Sequence, residues 1–287
     1  MPNYQIITDS GCDLPAEMLA KMDLSMVSLS LLYKGETLAD SVTDETKAFY
    51  DGLRAGETAS TSAVNPDQWS RAMEQALAAG KDVLVIAFSS GLSTTYQSAV
   101  IAAEDMKEKY PDRKIRVVDS VAASLGQGLL VTYACQKRDE GLELDALADW
   151  VENNKLHLCH FFTVDDLMFL KRGGRVSAAT ALLGTMLQIK PVLHVDDEGH
   201  LISIGKARGR KASVDALCEK AEKLCWPEGK KQMYICHGDC IEDAEYLKSR
   251  LQEKLGVEEV FIGYTGAVIG SHSGPGTVAL FFLGEHR

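Results

Sequence analysis

The sequence predicts an α/β fold whose N-terminal half contains an open parallel sheet with flanking helices. Two observations carry this prediction. Apolar runs of strand length alternate with segments of helical length up to about residue 160. Residues 82–88 form one of these runs and are apolar almost throughout, as is typical of a strand buried on both faces of a parallel sheet. A length of 287 residues is enough for two domains or for one large one.

The first elements are predicted from apolar runs and from turn and cap residues. Residues 4–7 predict a strand, and Asp13 is expected to cap a helix that has Pro15 in its first turn. Residues 25–40 predict two strands joined at a hairpin-like turn at 34–35.

Two helices are then predicted from their ends. Thr43 is expected to cap a short helix that runs through Arg54. Asn65 and Pro66 have the residue types of a helix start, and Gly80 is expected to end that helix.

The remaining elements follow the same alternation, with a change of pattern that places a domain boundary near residue 160. Further strands are predicted at 82–88, 115–118, 157–164, 191–195, 201–205, 232–236, 258–264 and 277–283. Further helices are predicted at 94–109, within 122–155, at 165–174, at 178–187, from about 211, and at 241–255.

The composition argues against several classes of protein. The formal net charge is −11, whereas a nucleic-acid-binding surface needs clustered Lys and Arg, so no nucleic-acid partner is expected. No apolar run approaches the roughly 20 residues that span a bilayer. The N-terminus lacks the basic region followed by an apolar region that is typical of a signal peptide. We therefore expect a cytoplasmic protein without stable membrane insertion.

The cysteines do not predict a metal site. The 7 cysteines form no C-x-x-C pair, and the segment Cys-His-Gly-Asp-Cys at 236–240 matches no common zinc spacing. We expect reduced thiols, no metal and no cofactor.

Three segments are predicted to be hydroxyl-rich or glycine-rich loops, and they are candidates for anion binding. They are Ser60-Thr61-Ser62, the segment 89–95 that contains Ser93, and the segment 270–276 that contains His272. Ligands of an open parallel sheet bind beyond the carboxyl ends of its strands, where hydroxyl groups and helix N-termini can meet an anion. The alternative is that these hydroxyl groups only cap helices and that the histidine is solvated.

A basic segment is conspicuous in this acidic chain. Lys171, Arg172 and Arg175 lie together, and a second basic segment follows at 206–211. Arginine suits recognition of phosphate or of an acidic partner surface through its planar set of donors. The alternative is a solvated basic loop. Between these segments, the small apolar helix predicted at 178–187 could belong to the core or line a tunnel.

Common nucleotide and hydrolase motifs are missing from the sequence. Segment 90–93 does not fit the nucleophile-elbow pattern G-x-S-x-G. No G-x-G-x-x-G follows the first strand, and no P-loop occurs. A dinucleotide-binding or P-loop enzyme is therefore not predicted.

Taken in order, segments along nearly the whole chain resemble the DegV family of bacterial fatty-acid-binding proteins. They are Thr8-Asp9-Ser10, Asp13-Leu14-Pro15, Thr61-Ser62, Ser-Ser-Gly-Leu-Ser-Thr-Thr-Tyr-Gln-Ser-Ala at 89–99, Asp119-Ser120, Val-Asp-Asp-Leu at 164–167, Leu-Lys-Arg-Gly-Gly-Arg at 170–175, Ile189-Lys190-Pro191, Arg208-Gly209-Arg210 and His-Ser-Gly-Pro-Gly at 272–276. The ordered set is highly specific. The chain departs from the family at Thr94, where a glycine is common.

The resemblance implies two α/β domains with a lipid pocket between them. We expect an N-terminal domain, 1–160, with the parallel sheet and a C-terminal domain, 161–287, with a mixed sheet. The family's carboxylate site implies Thr61 or Ser62, with Ser93 and His272, as ligands of a long-chain fatty acid.

The resemblance also implies a protein partner. In this family a separate ATP-dependent fatty acid kinase phosphorylates the bound acid to an acyl phosphate. Lys171, Arg172 and Arg175 would then face the kinase or its phosphates. The chain itself would be a carrier without catalytic residues, and we expect a monomer.

Two other functions remain open at this point. One is a Ser/His hydrolase or transferase that acts alone on acyl groups. The other is a carrier of a different small anionic lipid, with no kinase involved.

Overall fold

The computed structural model describes residues 3–43, 45–177 and 188–287, and this part of the chain contains three β-sheets. The strands are β1 (Tyr4–Asp9), β2 (Ser25–Val27), β3 (Ser30–Tyr33), β4 (Glu36–Ala39), β5 (Ala59–Ser62), β6 (Asp82–Ala87), β7 (Ile115–Asp119), β8 (Leu158–Thr163), β9 (Ile189–Val195), β10 (Leu201–Arg208), β11 (Gln232–His237), β12 (Glu259–Tyr264) and β13 (Val278–Leu283). The helices are α1 (Ala16–Lys21), α2 (Thr46–Arg54), α3 (Pro66–Ala78), α4 (Thr95–Lys109), α5 (Leu125–Asp139), α6 (Leu144–Asn154), α7 (Met168–Arg172), α8 (Arg210–Leu224), α9 (Ile241–Leu255) and α10 (Ala267–Ser273).

The N-terminal sheet is parallel, as predicted, with strand order β2-β1-β6-β7. Its central strand pair aligns Ile6 with Leu84, and both side chains are fully buried. Continuous burial explains why β6 shows no polar alternation, because helices cover both faces of such a sheet. The carboxyl ends of these strands all point to one edge of the sheet.

The second large sheet is mixed, also as predicted, with strand order β10-β9-β8-β13-β11-β12. Only β11 and β12 pair in parallel; the other neighbours are antiparallel. Its first strand in sequence begins at Leu158, close to the expected boundary. One buried apolar cluster joins Leu84 of the parallel sheet, Leu129 of α5 and Phe281 of the mixed sheet. The division into domains at 160 stays a prediction.

A small antiparallel sheet, β4-β3-β5, corrects two sequence-based predictions. Residues 25–40 hold three strands instead of two: β2 joins the parallel sheet, and β3 and β4 form the hairpin. The segment Ser60-Thr61-Ser62 lies in strand β5 and is not a loop. It was missed because a strand of small polar residues has no apolar alternation, and its pairing with β3 is decided by tertiary contacts.

Two of the three predicted helix caps are wrong. Asp13 has left-handed backbone angles (φ 53°) at the end of a short 3-10 turn, and α1 begins only at Ala16. The side chain of Asp13 accepts a hydrogen bond from Ser124. This partner is 111 residues away, so the local sequence pattern does not reveal it. Helix α2 begins at Thr46, and the Thr43 side chain accepts a hydrogen bond from the Glu45 amide, which lies before the helix.

The third predicted cap is confirmed. The Asn65 side chain accepts from the Gln68 amide, and the Gln68 side chain accepts from the Asn65 amide, both at 2.9 Å. This reciprocal pair satisfies two amide groups that the helix itself leaves free. Helix α3 ends at Ala78, just before Gly80 with its φ of 77°.

Residues 270–273 are helical and only 274–276 form a turn, which corrects part of the loop predicted at 270–276. Helix α10 spans Ala267–Ser273 and ends at Gly274, whose φ is 79°. Gly270 allows the hydroxyl of buried Tyr50 to lie against the helix, where a Cβ atom would collide with it. The helix predicted at 178–187 lies outside the described residues. None of the helices that the structure describes is long and apolar enough to cross a membrane.

Candidate functional site

A cavity of about 490 Å³ lies between the carboxyl edge of the parallel sheet and one face of the mixed sheet. This is the edge at which parallel α/β sheets bind ligands. Its walls are mainly apolar, with Phe88 and Leu92 after β6, Phe162 and Phe281 from the mixed sheet, and Val268 from α10. Its volume falls within the range of about 300–1,000 Å³ that small-molecule sites occupy.

Three predicted residues line the cavity, and we call the part of it where Thr61 contacts His272 its polar end. Thr61 of β5 and His272 of α10 are joined by a hydrogen bond of 2.9 Å between Oγ1 and Nε2. Ser93, in the turn before α4, lines the same cavity. These residues are 32 to 211 positions apart in sequence. Thr61 comes from the small sheet, Ser93 from the turn that follows β6 of the parallel sheet, and His272 from α10.

Ser93 caps the first turn of α4 and also lines the cavity. Its Oγ accepts from the Thr95 amide at 3.3 Å, which satisfies a free amide of the first turn of α4. The same Oγ lies 2.9 Å from Thr95 Oγ1, and the residue faces the cavity. A hydroxyl group has one donor and two acceptor sites, so capping does not use its full capacity.

Burial keeps His272 neutral. Desolvation, followed by the nearby positive charge of Arg175, lowers the pKa of His272 to about 4. Nδ1 faces the backbone of Gly173, where an added Cβ would collide with the ring. Because Gly173 has ordinary helical angles, its lack of a side chain serves this close approach and not an unusual backbone.

Arg175 lies at the polar end of the cavity, a position that sequence reasoning did not predict. Its guanidinium group is half-buried and donates to the carbonyls of Leu92 (3.1 Å) and Gly173. Burial lowers the pKa of Arg175 from its usual value. The sequence signal for this position was weak: two glycines separate Arg175 from the basic pair Lys171-Arg172.

A second pocket of about 330 Å³ adjoins the polar end, and we call it the outer groove. Thr61, Arg175 and His272 line both the cavity and the outer groove. Arg172 lines the outer groove and lies over the Phe169 ring, 4.4 Å from its centroid. Lys171 is exposed beside it.

Ser62 is not brought to the site. Successive side chains of a strand point to opposite faces, and Thr61 is half-buried whereas Ser62 is exposed. Ser62 lines neither the cavity nor the outer groove. Of the two hydroxyl residues that the resemblance implied at this position, the structure therefore brings Thr61 to the polar end.

Sequence reasoning also missed His160, which lines the apolar part of the cavity. The signal was a histidine inside β8, a strand whose residues are all buried. Within the described ranges, no group of three His, Cys, Asp or Glu residues is arranged to hold a metal ion.

Comparisons with known proteins agree with this architecture. The model of the DegV family, described as uncharacterised proteins, matches residues 3–285. A DegV domain-containing protein of Clostridium perfringens is 46% identical over 100% of this chain and 99% of its own length.

Two solved structures share the fold. A structure described as fatty acid binding of a DegV family protein from Thermus thermophilus has a TM-score of 0.87 at 33% identity, covering 98% of this chain and 99% of that one. The Streptococcus pneumoniae Fatty Acid Kinase (Fak) B3 protein, loaded with linoleic acid, has a TM-score of 0.84 at 23% identity, covering 99% of each chain; this likeness shows the fold alone. With a family match over nearly its whole length, this chain belongs to the DegV family.

Proposed function

We propose that this protein binds one long-chain fatty acid in the cavity, with the carboxylate at the polar end. The observation that carries the proposal is the shape and polarity of the cavity. It is about 490 Å³ in volume, its walls are mainly apolar, and Thr61, Ser93 and His272 are among the residues that line it. The fatty acid bound by the Thermus thermophilus relative supports the same ligand class.

Burial of the acyl tail supplies the affinity. Each buried methylene contributes about 0.8 kcal/mol, so a chain of about 15 methylenes gains roughly 12 kcal/mol before costs. Association and ordering of the tail offset much of this gain. The affinity of the site is the part of this gain that exceeds those costs.

The carboxylate is held by neutral donors. A buried carboxylate without partners is costly, and hydroxyl and imidazole donors satisfy its oxygens. Because the pKa of His272 is lowered to about 4, its ring is neutral near pH 7 and serves as a hydrogen-bond donor instead of a counter-ion. Neutral donors leave a carboxylate oxygen more nucleophilic than a direct ion pair with arginine would.

The bound acid is then presented to an ATP-dependent kinase through the outer groove. In that reaction a carboxylate oxygen attacks the γ-phosphorus of ATP, the bond from phosphorus to the ADP oxygen breaks, and acyl phosphate and ADP form. The outer groove supports this step, because it adjoins the polar end and is lined by Arg172 and Arg175. Lys171 and Arg172 are exposed there, so they can meet a partner or its phosphates.

The geometry disfavours a hydrolase that acts alone. His272 is hydrogen-bonded to Thr61 and lies against the Gly173 backbone, and Ser93 is bonded to Thr95. No described carboxylate is hydrogen-bonded to His272 to orient it as a base. A pKa of about 4 also makes it a weak base near pH 7.

Native mass spectrometry with kinase assays tests the proposal. His272→Ala and Ser93→Ala are expected to lower fatty acid occupancy and phosphorylation, whereas Ser62→Ala, the exposed neighbour of Thr61, serves as the matched control. Unchanged occupancy in both site variants would show that the head-group assignment is wrong. Ester turnover by the protein alone would show that it is a hydrolase.

A further inference from the structure

The apolar part of the cavity contains one imidazole ring that no assigned role explains. His160 lies on β8, lines the cavity and is 1% exposed. Its ring packs edge-on against Phe281, with centroids 5.2 Å apart, and against the backbone of Gly126, where a Cβ atom would collide with it.

The strand register places His160 far from the polar end. Thr277 donates to the Ser273 carbonyl at the end of α10, the helix that carries His272, and so marks the polar end. Ala279 and Phe281 follow Thr277 on the same face of the mixed sheet, and His160 is the direct partner of Phe281. Four residues of strand span about 13 Å.

This distance corresponds to many carbons of a bound acyl chain. With C–C bonds of about 1.5 Å at a tetrahedral angle, an extended chain advances about 1.25 Å per carbon, so 13 Å spans about ten carbons. An acyl chain that runs along β13 from a carboxylate at His272 therefore has His160 beside its distal half.

The two nitrogens of His160 are unsatisfied within the described ranges of the chain. Among the described residues, neither Nδ1 nor Nε2 has a hydrogen-bond partner. Burial holds the pKa of His160 well below its usual range, so the ring is neutral and offers one donor and one acceptor. Leaving such groups unpaired is costly, and a saturated tail would leave them unpaired.

Within the described part of the chain, the surroundings of His160 do not supply partners, but the ring lines the cavity that a ligand would occupy. Val195 and Leu201, which pair with each other across β9 and β10, line the same part of the cavity and are apolar. The Cβ–Cγ torsion of histidine has a broad range, so the ring of His160 can adjust to a ligand in the cavity that it lines.

We propose that the acyl pocket is specific for a fatty acid with an oxygen in its distal half, a hydroxyl or oxo group, and that His160 is the hydrogen-bond partner of this oxygen. The inference rests on the proposed fatty acid site and adds the substrate class. It makes His160 a specificity-determining residue, because a plain tail cannot satisfy the ring and an oxygenated tail can.

Competition binding with the full-length protein tests the inference. Delipidated protein is offered stearate together with 12-hydroxystearate or with 2-hydroxystearate, and bound acids are quantified by native mass spectrometry. We expect 12-hydroxystearate to be preferred over stearate, and 2-hydroxystearate not to be. Equal or weaker binding of 12-hydroxystearate would overturn the proposal without any variant. If none of the acids binds, the fatty acid site itself is wrong.

Variants then assign the preference to His160. His160→Leu removes both nitrogens and is expected to reduce the ratio of 12-hydroxystearate to stearate about tenfold, whereas His160→Gln, which keeps a donor and an acceptor, retains most of it. Val195→Ala is the matched control: it is expected to weaken both acids equally and leave the ratio unchanged. A ratio that His160→Leu leaves unchanged, with stearate still bound, would contradict the role of His160.

Discussion

His272 is the residue on which the proposed head-group site depends most. It joins β5 to α10 through Thr61, and its neutral state follows from burial beside Arg175. A neutral ring that donates one hydrogen bond can hold a carboxylate without neutralising it. This property makes the residue sensitive both to substitution and to pH.

Truncation of the head-group residues is expected to weaken fatty acid binding. His272→Ala or Ser93→Ala leaves a buried carboxylate short of one donor, which costs about 1–3 kcal/mol, or roughly 5- to 150-fold in Kd. Isothermal titration with palmitate measures the change. Affinities equal to the unsubstituted protein in both variants would contradict the assignment.

The stability of the lipid-free protein should depend on pH through His272. Its pKa is lowered from 6.5 to about 4, so between these values the unfolded chain binds the proton and the folded chain does not. The folded state is therefore stabilised by the neutral form of His272 above pH 6.5, and this stabilisation is lost as pH falls toward 4. From pH 7 to pH 5 the loss is about 2 kcal/mol.

Urea unfolding at pH 7 and pH 5 measures this loss. From pH 7 to pH 5, the free energy of unfolding of His272→Gln should fall by about 2 kcal/mol less than that of the unsubstituted protein. Other buried groups titrate equally in both proteins, so the difference isolates His272. Identical decreases would mean that His272 titrates normally.

At the scale of elements, strand alternation decides which hydroxyl of β5 meets the ligand. Thr61→Val keeps the shape of the side chain and removes the hydroxyl that bonds to His272. It is expected to raise the Kd for palmitate about tenfold. Ser62→Val, on the exposed face, should leave the Kd unchanged, and a reversed pattern would show that the strand face is assigned wrongly.

The close approach of Gly173 to His272 predicts an effect from one added methyl group. Gly173→Ala is compatible with the local backbone but would collide with Nδ1 of His272, so fatty acid affinity should decrease. Gly174→Ala is the control: its φ of 73° makes alanine cost about 1 kcal/mol of stability, but open space surrounds it. Titration and thermal unfolding of both variants separate the two effects.

The sequence predicted elements whose signals are local. The apolar run at 82–88 and the cap at Asn65 are examples, because burial on both faces and a reciprocal cap leave their mark within a few residues. Asp13 and β5 were predicted wrongly because their conformations depend on distant partners, Ser124 and β3.

The candidate site was predicted only in part, for the same reason. Hydroxyl groups and a histidine were identified, but the choice of Thr61 over Ser62 depends on strand register. The positions of Arg175 and His160 on the cavity wall depend on packing between elements that are far apart in sequence.

For the whole molecule, the two large sheets provide the cavity and the outer groove provides access to its polar end. If this division of roles is right, Arg172→Ala should leave the Kd for palmitate unchanged and lower the rate of acyl phosphate formation with a fatty acid kinase. Exposed Lys107→Ala on α4 serves as a matched loss of positive charge. Weakened palmitate binding in Arg172→Ala would place the guanidinium at the head group instead.

The most direct test of the central claim is native mass spectrometry of freshly purified protein. A single fatty acid in the cavity predicts one bound species of about 250–290 Da, the mass of a C16–C18 acid, at a stoichiometry of one; an oxygenated C18 acid would be about 16 Da heavier for each added oxygen. Its displacement by added palmitate should follow one-site competition. Protein that carries no lipid and cannot be loaded with any of these acids would contradict the account.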